Sequence, residues 1–178
     1  MKRLLRFLLL PVAVYVERFL LLYANAQAMC TSFKMEILNG SHAFGAQAAN
    51  GVRTVTTKDV FKLALFLASA SRGAADTVYD TTGELAGTGN YTQGGVTLTN
   101  ATEPNTSGTT AFWTPSASAS WTNLTSSGAF DAAVLYNSTA TGKEEVSVHT
   151  FSSQSITGAD FTLTMPTNDA TTGLIRIA

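Results

Sequence analysis

The chain has 178 residues, with 11 basic and 12 acidic side chains, 14 glycines, one cysteine and 45% hydrophobic residues. That is one domain with enough apolar surface for a core, and it excludes coiled coils, basic nucleic-acid-binding tails, disulfide-stapled mini-proteins and acidic disordered chains. Charged residues make up only 13%, about half the usual share, and 27 Thr and 15 Ser, most of them after residue 50, fill much of the gap.

Residues 1–28 differ in composition from the rest. They hold Lys2, Arg3, Arg6 and Arg18 but only Glu17 among the acids, which leaves seven basic and eleven acidic residues, a charge of −4, for the remaining 150. A body of that sign does not bind a phosphate backbone by charge. Three readings of the leader compete. Lys2-Arg3, the apolar run Phe7 to Val16 and the small residues Ala24 to Ala28 fit a secretory signal peptide, although Pro11 and Glu17-Arg18 interrupt it. A membrane-spanning helix needs roughly 20 nearly uncharged residues, and neither apolar block reaches that. The third reading is upstream sequence joined by an early start, with Met29 as the true first residue. A lipoprotein signal is disfavoured by Met29 directly before Cys30.

The body, 29–178, divides into an arm (29–57) and a β domain (58–178). Phe33 and Ile37, with Met35 and Leu38 nearby, predict a short helix capped by Thr31 or Ser32 and ended by Gly40. Two turns are not stable alone, so this helix must pack on something. Residues 45–57 form a small-residue connector with an Asn50-Gly51 turn. Strands are then expected at 61–66, 96–99, 109–114, 120–124, 130–136, 145–149, 161–165 and 174–177. Phe130 to Tyr136 is apolar on both faces and predicts a central strand. Glu145 to His149 alternates, which predicts Val146 and Val148 inward and Glu145, Ser147 and His149 on a solvated face. Short strands between turn signals indicate an all-β fold, an antiparallel β-sandwich or jelly roll with a short N-terminal helix.

Chemistry is sparse. His149 with Glu145 and Ser147 is the one conceivable catalytic triad, but it lacks a strained nucleophile elbow, and a solvated strand face is the plainer reading. One Cys and two separated His residues, His42 and His149, give no zinc spacing. The acid-bearing loops 76–84 and 166–169 do not match an EF-hand and read as turn residues. Glu84, Glu103 and Asp131 are candidate glycosidase acids that cannot be paired from sequence, and Glu144-Glu145 reads as a solvated edge. Gly87-Thr88-Gly89 and Gly94-Gly95 lie between strands rather than before a helix, so they fail the context of a phosphate loop. Asn-x-Ser/Thr triplets at Asn39, Asn100, Asn105, Asn123 and Asn137 matter only in a eukaryotic secretory pathway. Cys30 reads as a free thiol, which suits a reducing cytoplasm. Trp113, Trp121 and Tyr91 read as core, with an exposed sugar or protein platform as the alternative. No catalytic, cofactor-binding or metal-ligating residue is therefore assigned, and no cofactor is expected.

The stretch Met29-Cys30-Thr31-Ser32-Phe33-Lys34, then Glu36-Ile37-Leu38 and a His, resembles the start of a family of small proteins of tailed bacteriophages. Residues 61–71 (FKLALFLASAS), 83–95 (GELAGTGNYTQGG), 130–137 (FDAAVLYN) and 161–178 (FTLTMPTNDATTGLIRIA) extend the resemblance across 29–178, but not into 1–28. It implies a virion structural protein, a capsid decoration or tail-associated component, with no catalytic motif and a usual start near Met29. The expected partners are other virion proteins and further copies of the chain, a trimer first, with no nucleic acid and no membrane contact for 29–178. The location implied is the virion, assembled in the host cytoplasm. The alternative is a secreted or periplasmic β-sandwich binding module, with carbohydrate as one ligand, if 1–28 is a signal peptide.

Overall fold

A computed structural model describes residues 22–23, 28–46 and 57–178, with Leu22 and Tyr23 described by backbone alone. It is an all-β structure: β1 Leu22–Tyr23, β2 Ala28–Met29, helix α1 Thr31–Asn39, β3 Phe61–Leu67, β4 Val96–Thr97, β5 Asn105–Ser107, β6 Thr110–Trp113, β7 Ala119–Leu124, β8 Phe130–Asn137, β9 Glu145–Gln154, β10 Ala159–Thr164 and β11 Ile175–Ile177. Five strands form one antiparallel sheet in the order β2-β9-β8-β3-β4, and two three-stranded sheets run β1-β10-β7 and β11-β6-β5. The expected all-β class holds. Of the 45–57 connector, residues 47–56 lie outside the described residues, as do 1–21 and 24–27 of the leader. Leu22–Tyr23 of the leader runs parallel to β10, and Ala28–Met29, where leader and body meet, runs antiparallel to β9.

The central sheet is apolar because it is covered on both faces. In β8, Phe130 and every residue from Ala132 to Asn137 are buried, as expected of a strand between two neighbours. Ring contacts join it to the other sheets. Phe130 meets Phe161 of β10 edge-on at 5.1 Å, and Phe161 lies 5.6 Å from Trp121 of β7. On β3, Phe61 stacks on Phe44 at 4.4 Å and approaches Trp113 of β6 at 5.5 Å. The polar faces of the outer strands satisfy themselves: Ser120 and Thr162, opposite each other on β7 and β10, share a hydroxyl hydrogen bond of 3.0 Å.

Helix α1 differs in detail from the expectation. Its N-cap is Cys30, with no side-chain cap, so neither Thr31 nor Ser32 plays that part. The end is as expected: Gly40 is left-handed (φ 68°), and the Gly40 and Ser41 amides donate to the Ile37 and Glu36 carbonyls, closing a Schellman turn. The inward face is Phe33 and Glu36, with Ile37 half-buried, whereas Met35 and Leu38 point to solvent.

Candidate functional site

The triad conceivable from sequence is dismantled by a β-bulge. Ser147 pairs with Leu135 but Glu145 pairs with Tyr136, so Val146 is an extra residue on β9. Opposed residues share a face and successive ones alternate, so Ser147 takes the face of Leu135 while Glu145 takes that of Tyr136. The acid is thereby turned away from the Ser–His pair. The expectation of a solvated face also fails, because Glu145, Ser147 and His149 are all fully buried. The reason is position: β9 is flanked by β8 and β2, and its polar groups find partners indoors. Ser147 Oγ and His149 Nε2 lie 2.8 Å apart, sealed from solvent.

Glu145 instead meets Arg72, whose Nη1 lies 3.5 Å from its Oε1. The guanidinium sits 4.0 Å from the centre of the Phe66 ring, 3.5 Å from Asp80 Oδ1 and 3.9 Å from Asp76 Oδ2, and donates to the Thr82 carbonyl. Glu144-Glu145 is thus no solvated edge. Burial pushes the Glu145 carboxyl up to about 7, against the pull of Arg72, and its Oε2 has no hydrogen-bond partner. A carboxyl raised in the fold favours the protonated native state, so its contribution is complete below its ordinary value of 4.5 and is lost as pH rises through about 7. We therefore expect urea melts at stepped pH to show stability falling by up to about 3 kcal/mol across this window, and Glu145→Gln to remove that slope. A wild-type profile identical to that of the variant would refute the assignment.

The other notable buried acid is Glu84. Its Oε2 accepts from the Tyr79 hydroxyl at 2.6 Å, and its Oε1 accepts from the Tyr91 hydroxyl at 2.6 Å and the Gly94 amide at 2.7 Å. Tyr91 in turn accepts from the Leu65 amide of β3, and the Tyr136 hydroxyl of β8 donates to the Gly94 carbonyl. Burial and the nearby carboxylate hold all three phenols above their ordinary range, Tyr136 at about 12. The network ties the 79–95 segment to the central sheet. Of the other two candidate glycosidase acids, Glu103 is ion-paired to Lys58 and Asp131 is half-buried on β8.

The acidic loops are turn anchors in geometry. Asp169 accepts the amides of Thr171 and Thr172, and Asp80 that of Thr82; these bonds hold both carboxyls below the usual range. Among the described residues, no group of three or more His, Cys, Asp or Glu is placed to hold a metal ion.

His42 joins a second polar chain beneath α1. Its Nε2 lies 2.8 Å from Glu36 Oε2, and its Nδ1 lies 3.1 Å from Asn137 Nδ2, which also donates to Asp59 at 2.7 Å. The Asn137 carbonyl oxygen already accepts the Thr139 and Ala140 amides, so the amide cannot turn round. Nδ1 is therefore the acceptor and Nε2–H the donor to Glu36. Asn137, one of the glycosylation triplets, is fully buried and committed.

Cys30 is fully buried, and desolvation pushes its thiol up to about 12, so it stays protonated. Trp113, Trp121 and Tyr91 are buried core residues, as the plainer reading expected. Exposed apolar side chains lie elsewhere, on α1, where the sequence suggested a single inward stripe. Leu38 is 87% exposed and Met35 56%, and Ile177 is also open. On the inner side of α1 lies a groove of about 130 Å³ lined by Phe33, Ile37, Phe44, Trp113, Ile175 and Ile177, among others. Single exposed apolar residues are common; here two of them, Met35 and Leu38, lie one turn apart on the same helix.

No helix among the described residues is long and apolar enough to cross a membrane. No protein-family model, curated protein or solved structure matches the chain.

Proposed function

We propose that this chain is a non-enzymatic virion structural protein of a tailed bacteriophage, a capsid decoration or tail-associated component acting through protein–protein contacts between repeated subunits. The observation that carries the reading is an inversion of the usual arrangement of a small enzyme. The polar groups with chemical potential, Glu84, Glu145, Ser147 and His149, are enclosed and mostly satisfied, while α1 leaves Met35 and Leu38 in solvent. A rigid β module with few charges and an uncovered apolar helix face suits repeated contacts in a particle. The family resemblance of 29–178 supports the same role and the phage context. The secreted carbohydrate-binding alternative needed an exposed aromatic platform, and Trp113, Trp121 and Tyr91 do not supply one.

The test is mass spectrometry of purified particles of the encoding phage. The chain should be present in many copies per particle, in proportion to the capsid or tail subunits. Its absence from particles while abundant in infected cells would sink the proposal.

A further inference from the structure

We infer that the outer edge of β10 is a strand-acceptor site, and that its occupant is Leu22–Tyr23 of the same chain. Residues 22–29 then clasp the sandwich and belong to the working protein rather than to a segment discarded before it. Without β1, β10 would be the open edge of the β1-β10-β7 sheet. An open edge presents unpaired amides and carbonyls, which proteins blunt with Lys, Pro or a bulge. Ala159–Thr164 holds neither Lys nor Pro, and its one irregularity lies between Ala159 and Phe161. Leu22 and Tyr23 pair in parallel at the other end, with Leu163 and Thr164.

The occupant follows from the next strand. Ala28 and Met29 pair with Val148 and Ser147 on the outer edge of β9. The Cys30 amide continues that line by donating to the Val146 carbonyl at 3.1 Å. β9 and β10 are consecutive strands of different sheets, and Phe151 of one lies 5.9 Å from Phe161 of the other. The segment therefore covers one sheet with β1 and the other with β2. From Tyr23 to Ala28 the chain can reach about 17 Å, more than the roughly 10 Å between packed sheets. So short a tether gives the chain's own β1 an effective concentration on the order of millimolar at this edge. A second copy at micromolar concentration does not compete with that. Cleavage near Ala28, which the signal-peptide reading requires, or a start at Met29, which the family resemblance implies, would remove β1 and open the edge.

The test uses the full chain. Tyr23→Cys with Thr164→Cys places two thiols on opposed residues of strands roughly 4.8 Å apart, within disulfide range. Mild oxidation should give a monomer bridged within one chain, with only the enclosed Cys30 left as a free thiol. Tyr23→Cys with Ser120→Cys, one strand further away on β7, should not bridge. Replacing Leu22 and Tyr23 together by proline removes both amides. Hydrogen exchange in 159–164 should then speed up at least about tenfold, with 130–137 unchanged. The intact mass of the chain expressed from its own gene should still contain residues 22–28. Bridges between chains, equal bridging of the Ser120 pair, unchanged exchange in 159–164, or a chain beginning at Met29 would each overturn the clasp. None of these readouts uses particles, so their failure leaves the virion reading standing, and absence from particles leaves the clasp standing.

Discussion

Replacing Glu84 by alanine should destabilise the fold by about 3–5 kcal/mol, because two buried phenol donors and a half-buried amide lose one acceptor together. The Tyr79 and Tyr91 hydroxyls and the Gly94 amide all point at this carboxylate, which is 4% exposed. A buried polar group left unsatisfied costs about 1–3 kcal/mol, and relaxation recovers part of the sum. Against a typical total of about 5–15 kcal/mol, that is a large fraction. Glutamine is the informative control. Its oxygen can keep the Tyr91 and Gly94 bonds, and its amide can donate to the Tyr79 oxygen, so Glu84→Gln should cost about 1 kcal/mol. Denaturant melts at pH 7 read both variants. A Glu84→Ala cost below about 1 kcal/mol would mean that the network does not hold the 79–95 segment.

The second large effect belongs to Gly95. A Cβ there would lie 1.9 Å from the Leu63 carbonyl oxygen and 2.6 Å from the Ala64 Cα, both backbone atoms of β3, and φ is +70°. Neither neighbour can yield without moving the middle of the central sheet. Gly95→Ala should therefore cost at least about 4 kcal/mol, in the range kept for severe overpacking and strain. Gly108, in the β5–β6 turn, has φ +58° with nothing within 4 Å of its built Cβ. Gly108→Ala should then cost only the left-handed penalty, about 1–2 kcal/mol. The difference between the two variants isolates the steric term, and equal costs would contradict the close approach of Gly95 to β3.

The two glycines and Glu84 act together. Gly94 donates its amide to Glu84 and receives the Tyr136 hydroxyl on its carbonyl, and Gly95 is pressed against Leu63. The segment that looked like a failed phosphate loop is therefore a clamp that fastens a long connection to β3 and β8. Its glycines serve close backbone approach.

Local patterns made much of the fold legible. Phe130 to Tyr136 announced a central strand because both its faces are apolar, and the alternation of Trp121, Phe161 and Leu163 with Thr and Ser set the inner faces of β7 and β10. Gly40 marked the helix end because only a residue free of Cβ strain suits that turn. The site was not legible in the same way. Alternation in Glu145-Val146-Ser147-Val148-His149 reads as one dry and one wet face, a rule that presumes a half-exposed strand. Here the strand is covered on both sides. The compensating partner, Arg72, stands 73 positions away in the chain, and the bulge at Val146 has no signature in sequence. The Met35–Leu38 ridge was missed for a related reason: an apolar stripe on a short helix was expected to face inward as a whole, whereas the helix is apolar on two sides.

On the proposed reading, surface contact rather than enclosed chemistry carries the function. The most direct measurement is the copy number of the chain in purified particles, counted by quantitative mass spectrometry for wild type, Leu38→Asp and Ser147→Ala. The account predicts strong incorporation of the wild type and of Ser147→Ala, and loss of at least nine-tenths of the signal for Leu38→Asp, with both variants folded. Incorporation of Leu38→Asp at the wild-type level, or loss of function in the folded Ser147→Ala variant alone, would contradict it.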